Sequence, residues 1–402
     1  MLDTPFSPWP CFSAEEVEAA ARVIASNRVN YWTGTECREF EREFADWCGC
    51  QHAVALANGT LALDVALKAL GIGPGDEVVV TPRTFMASVS CVVTAGAVPV
   101  FADVDRETQN LSAETIARVI SPRTRAIICV HLAGLPCDMD PIMSLARTHG
   151  LRVIEDCAQA HGARYRGRSV GTIGDVGAWS FCQDKIMTTG GEGGMVTTND
   201  RALWSRMWSY KDHGKSWEAV YERRHPPGFR WVHETFGTNW RMLEVQGALG
   251  RLQLRRMGDW TARRTTHANR IEETCRRFPI VHVPAVPSDS IHAYYRFYGF
   301  VQAELLAPGW SRDRIVEEIS RQGVPCFQGA CPEVYLEKAF DGTGWRPADR
   351  LPVARELGES SLAFLVHPTL TDAEIGRTQD AIAEVLGRAC AKGAPVGATG
   401  RN

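Results

Sequence analysis

The sequence predicts an α/β protein: a large domain built on a mostly parallel, helix-covered sheet, followed by a smaller C-terminal α/β domain. Two observations lead there. Short apolar runs alternate with amphipathic helical stretches every 20 to 30 residues or so through the first half of the chain, which is the pattern of βαβ units with both sheet faces covered. The chain also has 402 residues, more than the roughly 250 to 300 at which one hydrophobic core stops growing.

The elements follow in order. Ser13 to Glu16 form a capping box that opens a helix running to about Ser26, with Val17, Ala20, Ala21 and Ile24 on one face. A second amphipathic helix spans Glu36 to Trp47. HAVALAN then leads into a helix from Thr60, EVVVTP into one near Phe85 to Ala95, and VPVFADV into one near Ala113 to Val119. RAIICVHL leads into a helix from Asp140 and is followed by LRVIEDCAQA; VGAWSFC and GGMVTTND read as the last two strands of the sheet. From Arg201 to Phe236 the texture changes to Trp, Arg, Lys and His, with RRHPPGF as an irregular excursion. A long helix from Met242 to Met257 is read as the hinge between a large domain, residues 1–245, and a small one, residues 246–388. In the small domain YYRFYGFVQAE and GVPCF read as strands and Ser311 to Gln322 as a helix. The capping box Thr371 to Glu374 opens a last one. Residues 389–402 carry no apolar periodicity and are expected to be disordered.

Composition excludes several functions. A net charge of −3, with no long Lys/Arg run, leaves nothing to neutralise a nucleic acid. The amino terminus has neither the positive start nor the apolar run of a signal peptide, and no segment reaches the ~18 apolar residues that span a bilayer. Thirteen cysteines, odd in number and without CxxC spacing, read as free thiols of a cytoplasmic protein rather than disulfides or a metal site.

Three places carry chemistry. In VALANGTLALDVAL a β-rich run ends at Asn58, Gly59 permits close approach, and Thr60 starts a helix; this is either a phosphate-binding helix start or a turn with a cap. In LRVIEDCAQA the acid pair Glu155 and Asp156 ends a buried parallel strand, where ligand crevices open. The two acids point to opposite faces, so one faces the crevice, unless that acid merely caps the next helix. Lys185 then sits between an apolar run and the Thr- and Gly-rich TTGGEGGM. A phosphate cradle, a strand-end aspartate and a strand-flanking lysine, in that order, are what a pyridoxal phosphate enzyme requires. The lysine forms a Schiff base, the aspartate keeps the ring nitrogen protonated, and the helix start holds the phosphate.

With NGTLAL, GIGPGDEVVVTPRTFMASV, GAVPVFADVD, VIEDCAQAHGA, GDVGAWSF, DKIMTTGGEGGM and GTNWRMLEVQGALGRLQL, the chain resembles, from about Tyr31 to Arg388, the DegT/StrS family of sugar aminotransferases. The resemblance implies the aspartate aminotransferase-like fold, type I among pyridoxal phosphate transferases. It implies that Lys185 and Asp156 are catalytic and that Gln159 lies near the ring hydroxyl. It places the phosphate on Gly59, Thr60 and Ser180, with Phe85 stacking on the ring and Asn239 reaching the phosphate of a neighbouring subunit in a homodimer. Related sugar dehydratases have histidine where Lys185 stands, so the lysine points to transamination. The implied reaction moves an amino group from L-glutamate to a keto group of a nucleotide-linked keto-6-deoxy sugar. A free keto-cyclitol as substrate, or a cofactor-binding regulator without turnover, are the competing readings. His131 and His161 read as satisfied structural histidines. The tryptophans from Trp204 to Trp231 read as a wall for sugar or nucleotide, or as a dimer interface.

Overall fold

The computed structural model describes residues 6–391. The chain opens with α1 (Ala14–Ala25) and α2 (Glu36–Cys48), then alternates β1 (His52–Leu56), α3 (Gly59–Leu70), β2 (Glu77–Val80), α4 (Ala87–Thr94) and β3 (Val98–Phe101). It continues with α5 (Ala113–Ala117), β4 (Thr124–Val130), α6 (Met139–His149) and β5 (Arg152–Asp156). A short ribbon, β6 (Arg164–Tyr165) and β7 (Arg168–Ser169), precedes β8 (Val176–Ser180), β9 (Gly194–Thr198) and α7 (Arg201–Lys211). The remainder is α8 (Glu244–Cys275), β10 (Val281–His282), β11 (Ser290–Ile291), β12 (Phe297–Val301), α9 (Arg312–Arg321), β13 (Cys326–Phe327), α10 (Pro352–Ser360), β14 (Ser361–Phe364) and α11 (Asp372–Ala389).

Seven strands form the central sheet in the order β1-β9-β8-β5-β4-β2-β3. The ladders from β8 to β3 are parallel, and β9 runs antiparallel to both its neighbours. Val54, Val78, Val80, Ile128 and Ile154 face a core shared with α3 and α4, while Val79, Ile127, Cys129 and Val153 pack with Ile116 and Ile142 on the other face. Phe40 and Phe44 of α2 close that side over Trp179 and Phe181. The expected α/β fold with a mostly parallel, helix-covered sheet is therefore present.

A four-stranded antiparallel sheet, β10-β12-β14-β13, forms the smaller layer. Its core joins Phe297, Leu362, Phe364, Ile319 and Ile382 to Ala268 and Ile271 of α8 and to Phe6. Helix α8 packs on α1 and α2 with one stretch and on α11 with another. It extends eighteen residues past the expected Met257. Its second half, WTARRTTHANRIEETC, has little apolar periodicity, and its threonines only satisfy their own hydroxyls on carbonyls one turn back: Thr261 on Met257, Thr265 on Thr261, and Thr274 on Arg270, at 2.8, 3.0 and 3.2 Å. Burial of Ala268 and Ile271 then supplies what the pattern lacked.

The segment 201–236 is more regular than expected at its start. Asp200 caps α7 by accepting from the amides of Ala202 and Leu203 at 2.7 and 3.1 Å. Trp204, Trp208 and Trp217 pack against one another, with centroids 5.0 Å apart in two pairs, and Trp208 meets Trp32. Trp208 is fully buried in the chain's own core and Trp204 and Trp217 pack half-buried against it, whereas Phe229, Trp231 and Phe236 face solvent. Of the tail, Ala389 still ends α11, and residues 392–402 lie outside the described residues. Among the described residues no helix is long and apolar enough to cross a membrane.

Candidate active site

The strand β5 ends in two acids that the pleat sends to opposite faces. Glu155 is fully buried and accepts from the amides of Gly171, Ile173 and Gly174 at 2.9, 2.7 and 2.7 Å. His131 Nδ1 accepts from the Cys137 amide at 3.0 Å, which leaves the ring proton on Nε2, 3.0 Å from Glu155. Burial alone would raise the Glu155 carboxyl, but His131 and the glycine amides outweigh it and hold it below the ordinary carboxylate range. Glu155 is thus a buried anion committed to a loop, and His131 is the satisfied structural histidine the sequence suggested.

Asp156 faces the other way. Its Oδ2 accepts from the Ser88 hydroxyl at 2.7 Å and its Oδ1 from the Ala158 amide at 3.1 Å. Ser88 in turn lies 2.7 Å from the Thr84 hydroxyl. Asp156 pairs with Ala178 across β5 and β8, two residues before Ser180. Gln159 is fixed by its Oε1, which accepts from the Ala133 amide at 2.8 Å.

At the start of α3, Asn58 accepts from the Leu61 amide at 3.0 Å and caps the helix. The amides of Gly59 and Thr60, in the first turn, have no acceptor within the helix. A Cβ added at Gly59 would come within 2.5 Å of the Ser180 Cβ, so only glycine lets the helix start approach the end of β8. Two unpaired amides and a serine hydroxyl around one glycine make an anion cradle at the positive end of a twelve-residue helix.

Lys185 follows in the loop from β8 to β9. Trp9 Nε1 donates to its carbonyl at 2.8 Å, and Nζ lies 5.2 Å from the centroid of the Tyr295 ring and 3.8 Å from Asp184. Its side chain is 15% exposed. Burial disfavours the ammonium, yet the neighbouring Tyr295, Asp184 and Asp156 outweigh it and raise the Lys185 pKa. Tyr295, itself raised by burial, is neutral near pH 7, so the two carboxylates supply the charge. Gly190 and Gly191 both take positive φ, 90° and 117°, which accounts for the doubled glycine that lets this loop turn back into β9.

His161 departs from expectation. It is fully buried against Trp179 and Phe181, and neither ring nitrogen has a hydrogen-bond partner; the Ser180 backbone lies beside it without completing a good bond. Burial, with Lys185 and Arg264 nearby, pulls its pKa to about 3, so the ring is neutral.

The fold thus gathers Gly59, Asp156, Ser180 and Lys185 at one end of the sheet and sets Gln159 on the turn just after β5. Thr60 and Asn239 are exposed, and Phe85, 69% exposed, precedes α4. Asn239 belongs to a segment that bridges Asp212 and, through Arg241, Leu56 of β1. Ser88, Trp9, Asp184 and Tyr295 were not among the residues picked out from the sequence. All but Asp184 reach the site from far along the chain, and no local pattern announces them.

A model of the DegT/DnrJ/EryC1/StrS aminotransferase family matches residues 10–383. The chain is similar to GDP-perosamine synthase of Caulobacter vibrioides, 38% identical over 351 residues, which cover 87% of this chain and 89% of the relative. It is 35% identical over 371 residues to the dTDP-3-amino-3,4,6-trideoxy-alpha-D-glucose transaminase of Streptomyces venezuelae, with 92% of each covered. Among solved structures, the aminotransferase from Psychrobacter cryohalolentis superposes with a TM-score of 0.94 at 62% identity, covering 95% of this chain and 99% of that one.

Proposed function

Because the chain belongs to the DegT/DnrJ/EryC1/StrS aminotransferase family, whose members use pyridoxal phosphate to aminate sugars, we propose that it moves an amino group from L-glutamate to a keto group of a nucleotide-linked keto-6-deoxy sugar. The observation that carries this reading is the convergence of a glycine-lined amide cradle, the aspartate Asp156 and the lysine Lys185 at one sheet end. The residues fit the cofactor. The amides of Gly59 and Thr60 and the Ser180 hydroxyl would hold its phosphate, Asp156 its ring nitrogen and Gln159 its ring hydroxyl. Phe85 would lie on its face, and Lys185 Nζ would attach it. When bound, the cofactor supplies an electron sink beside the carbon that loses a proton.

The chain's own groups do the rest. Lys185 Nζ would hold and move a proton as general base and acid. Asp156, held by Ser88 and Ala158, would keep a proton on the ring nitrogen. The names of two relatives carry GDP- and dTDP-linked sugars, which supports a nucleotide-linked acceptor.

Two results test this reading. With the holoenzyme, L-glutamate should shift the cofactor's visible absorption, and a nucleoside diphosphate keto-6-deoxyhexose should restore it far faster than a free sugar, because the remote nucleotide helps to position the carbonyl. Restoration by a free keto-cyclitol, with the nucleotide sugars inert, would replace the acceptor named here. We also place Asn239 in the site of a second copy of the chain. Mixed dimers of Lys185→Ala and Asn239→Ala chains should then hold one intact site and regain about half the wild-type activity. No recovery in samples shown to exchange subunits would return Asn239 to its own chain's site or to none.

A further inference from the structure

Beside Lys185 opens a cavity of about 1110 Å³, with Trp9, Asp184, Arg264, Tyr295, Arg296 and His367 in its lining. Arg264, in the middle of α8, is 1% exposed. Its Nη1 donates to the carbonyls of Tyr294 and Tyr295 at 3.2 and 3.5 Å. Its Nε and Nη2 are buried and meet no acceptor among the described residues. Those two N–H groups project from the same edge of the planar guanidinium, the edge that takes a carboxylate through two parallel hydrogen bonds. Arg296 repeats the feature with a buried, unpaired Nη1, its guanidinium over the Tyr295 and Phe327 rings at 5.2 to 5.3 Å. Neither arginine forms an ion pair among the described residues. A cation held out of water without a counter-charge, as Arg264 is, with a half-buried second cation beside it, is costly unless an anion arrives to complete it. Burial, with Arg296 adding to it, pulls the Arg264 pKa down to about 9, although the guanidinium stays charged at neutral pH.

We propose that Arg264, assisted by Arg296, binds a carboxylate of the amino donor and of the 2-oxo acid it becomes. This rests on the aminotransferase reading above. The place of the anion decides between the two anionic substrates. Arg264 bonds the carbonyl of Tyr295, whose ring lies 5.2 Å from Lys185 Nζ, and both Arg264 and Lys185 lie near His161, so the arginine and the reacting nitrogen belong to one neighbourhood. A donor's α-carboxylate is attached one bond from the reacting carbon, and the side-chain carboxylate of glutamate lies three bonds from it. The diphosphate of a nucleotide sugar is held from its keto carbon by the sugar ring.

The test titrates the holoenzyme with glutarate, a dicarboxylate with neither an amino nor a keto group, by calorimetry, and repeats the titration with a nucleoside diphosphate. Arg264→Met should weaken glutarate binding roughly tenfold or more, and Arg264→Lys should recover little of it because an ammonium cannot make the paired contact. Nucleoside diphosphate binding should stay unchanged. Arg296→Met, at a half-buried position, should lower glutarate affinity by a smaller factor, and it serves if Arg264→Met does not fold. Unchanged glutarate affinity in the folded variants, with only a lower melting temperature, would make Arg264 a tether for Tyr294 and Tyr295 and overturn the proposal. Loss of nucleoside diphosphate binding with glutarate unaffected would overturn it in favour of the sugar's diphosphate. If the wild type bound glutarate but no amine altered the cofactor's spectrum, the aminotransferase reading would fall while the carboxylate site stood.

Discussion

Lys185→Ala is expected to abolish turnover, by more than roughly 10⁴-fold, since one substitution removes both the attachment point and the general base. Borohydride should fix the cofactor to the wild-type protein on a single peptide containing Lys185 and fix none to the variant. The sequence has six lysines, Lys68, Lys185, Lys211, Lys215, Lys338 and Lys392, so the mapping is clean. Lys211 is the informative competitor. It is also fully buried, and its Nζ makes no hydrogen bond. It is held 3.3 Å from the centroid of the Tyr31 ring and 3.8 Å from Glu41, a cation–π and ion-pair setting inside the tryptophan cluster and away from Asp156. An adduct on Lys211 would overturn the assignment of Lys185. The fold should tolerate the change at Lys185, because Asp184 keeps the Tyr295 hydroxyl and Asp156 keeps Ser88 and Ala158. A folded, inactive Lys185→Ala protein is therefore the expected outcome.

Legibility from sequence followed the range of the interaction. Val78 to Val80 and Ile127 to Val130 are unbroken apolar runs because parallel strands are buried on both faces, and α3 and α5 carry their own caps at Asn58 and Ser112. That made the large sheet readable, including which acid pair ends a strand. Elements stabilised mainly from outside themselves were missed. α7 is rich in tryptophan and arginine, whose pattern says little until Trp208 meets Tyr31, 177 positions away. α10 and β14 run together in PVARELGESSLAF with no punctuation between them, and the Ser360–Ser361 junction is set by pairing with β12 and β13. The site divides in the same way. Gly59, Asp156 and Lys185 announce themselves through local chemistry at strand ends. Ser88 reaches Asp156 across 68 positions and Trp9 reaches Lys185 across 176. Arg264 looked like one arginine of many on a polar helix, and only its burial without a partner sets it apart.

Asp156→Asn should leave the protein folded and lower turnover by roughly 10² to 10³, the scale on which a fixed charge matters at a site of developing charge. The hydrogen-bond inventory explains why the fold survives. The asparagine carbonyl can still accept from the Ala158 amide, and its NH₂ can donate to Ser88, whose hydroxyl turns to donate to Thr84 instead. Geometry is kept and the charge is lost. A neutral amide no longer favours a protonated ring nitrogen, so the defect should lie in the proton-transfer step, with kcat and kcat/KM falling together while the cofactor still attaches at Lys185. Glu155→Gln in the same experiment separates the neighbouring acids. Its NH₂ would replace one oxygen and so face either the Gly171 amide and His131 Nε2 or the amides of Ile173 and Gly174, leaving two buried donors unpaired at a cost of about 1 to 3 kcal/mol each. Glu155→Gln should therefore lower the melting temperature, while Asp156→Asn lowers the rate. Unimpaired turnover in Asp156→Asn would reduce Asp156 to a cap on the turn at Ala158 and assign the ring nitrogen to another group.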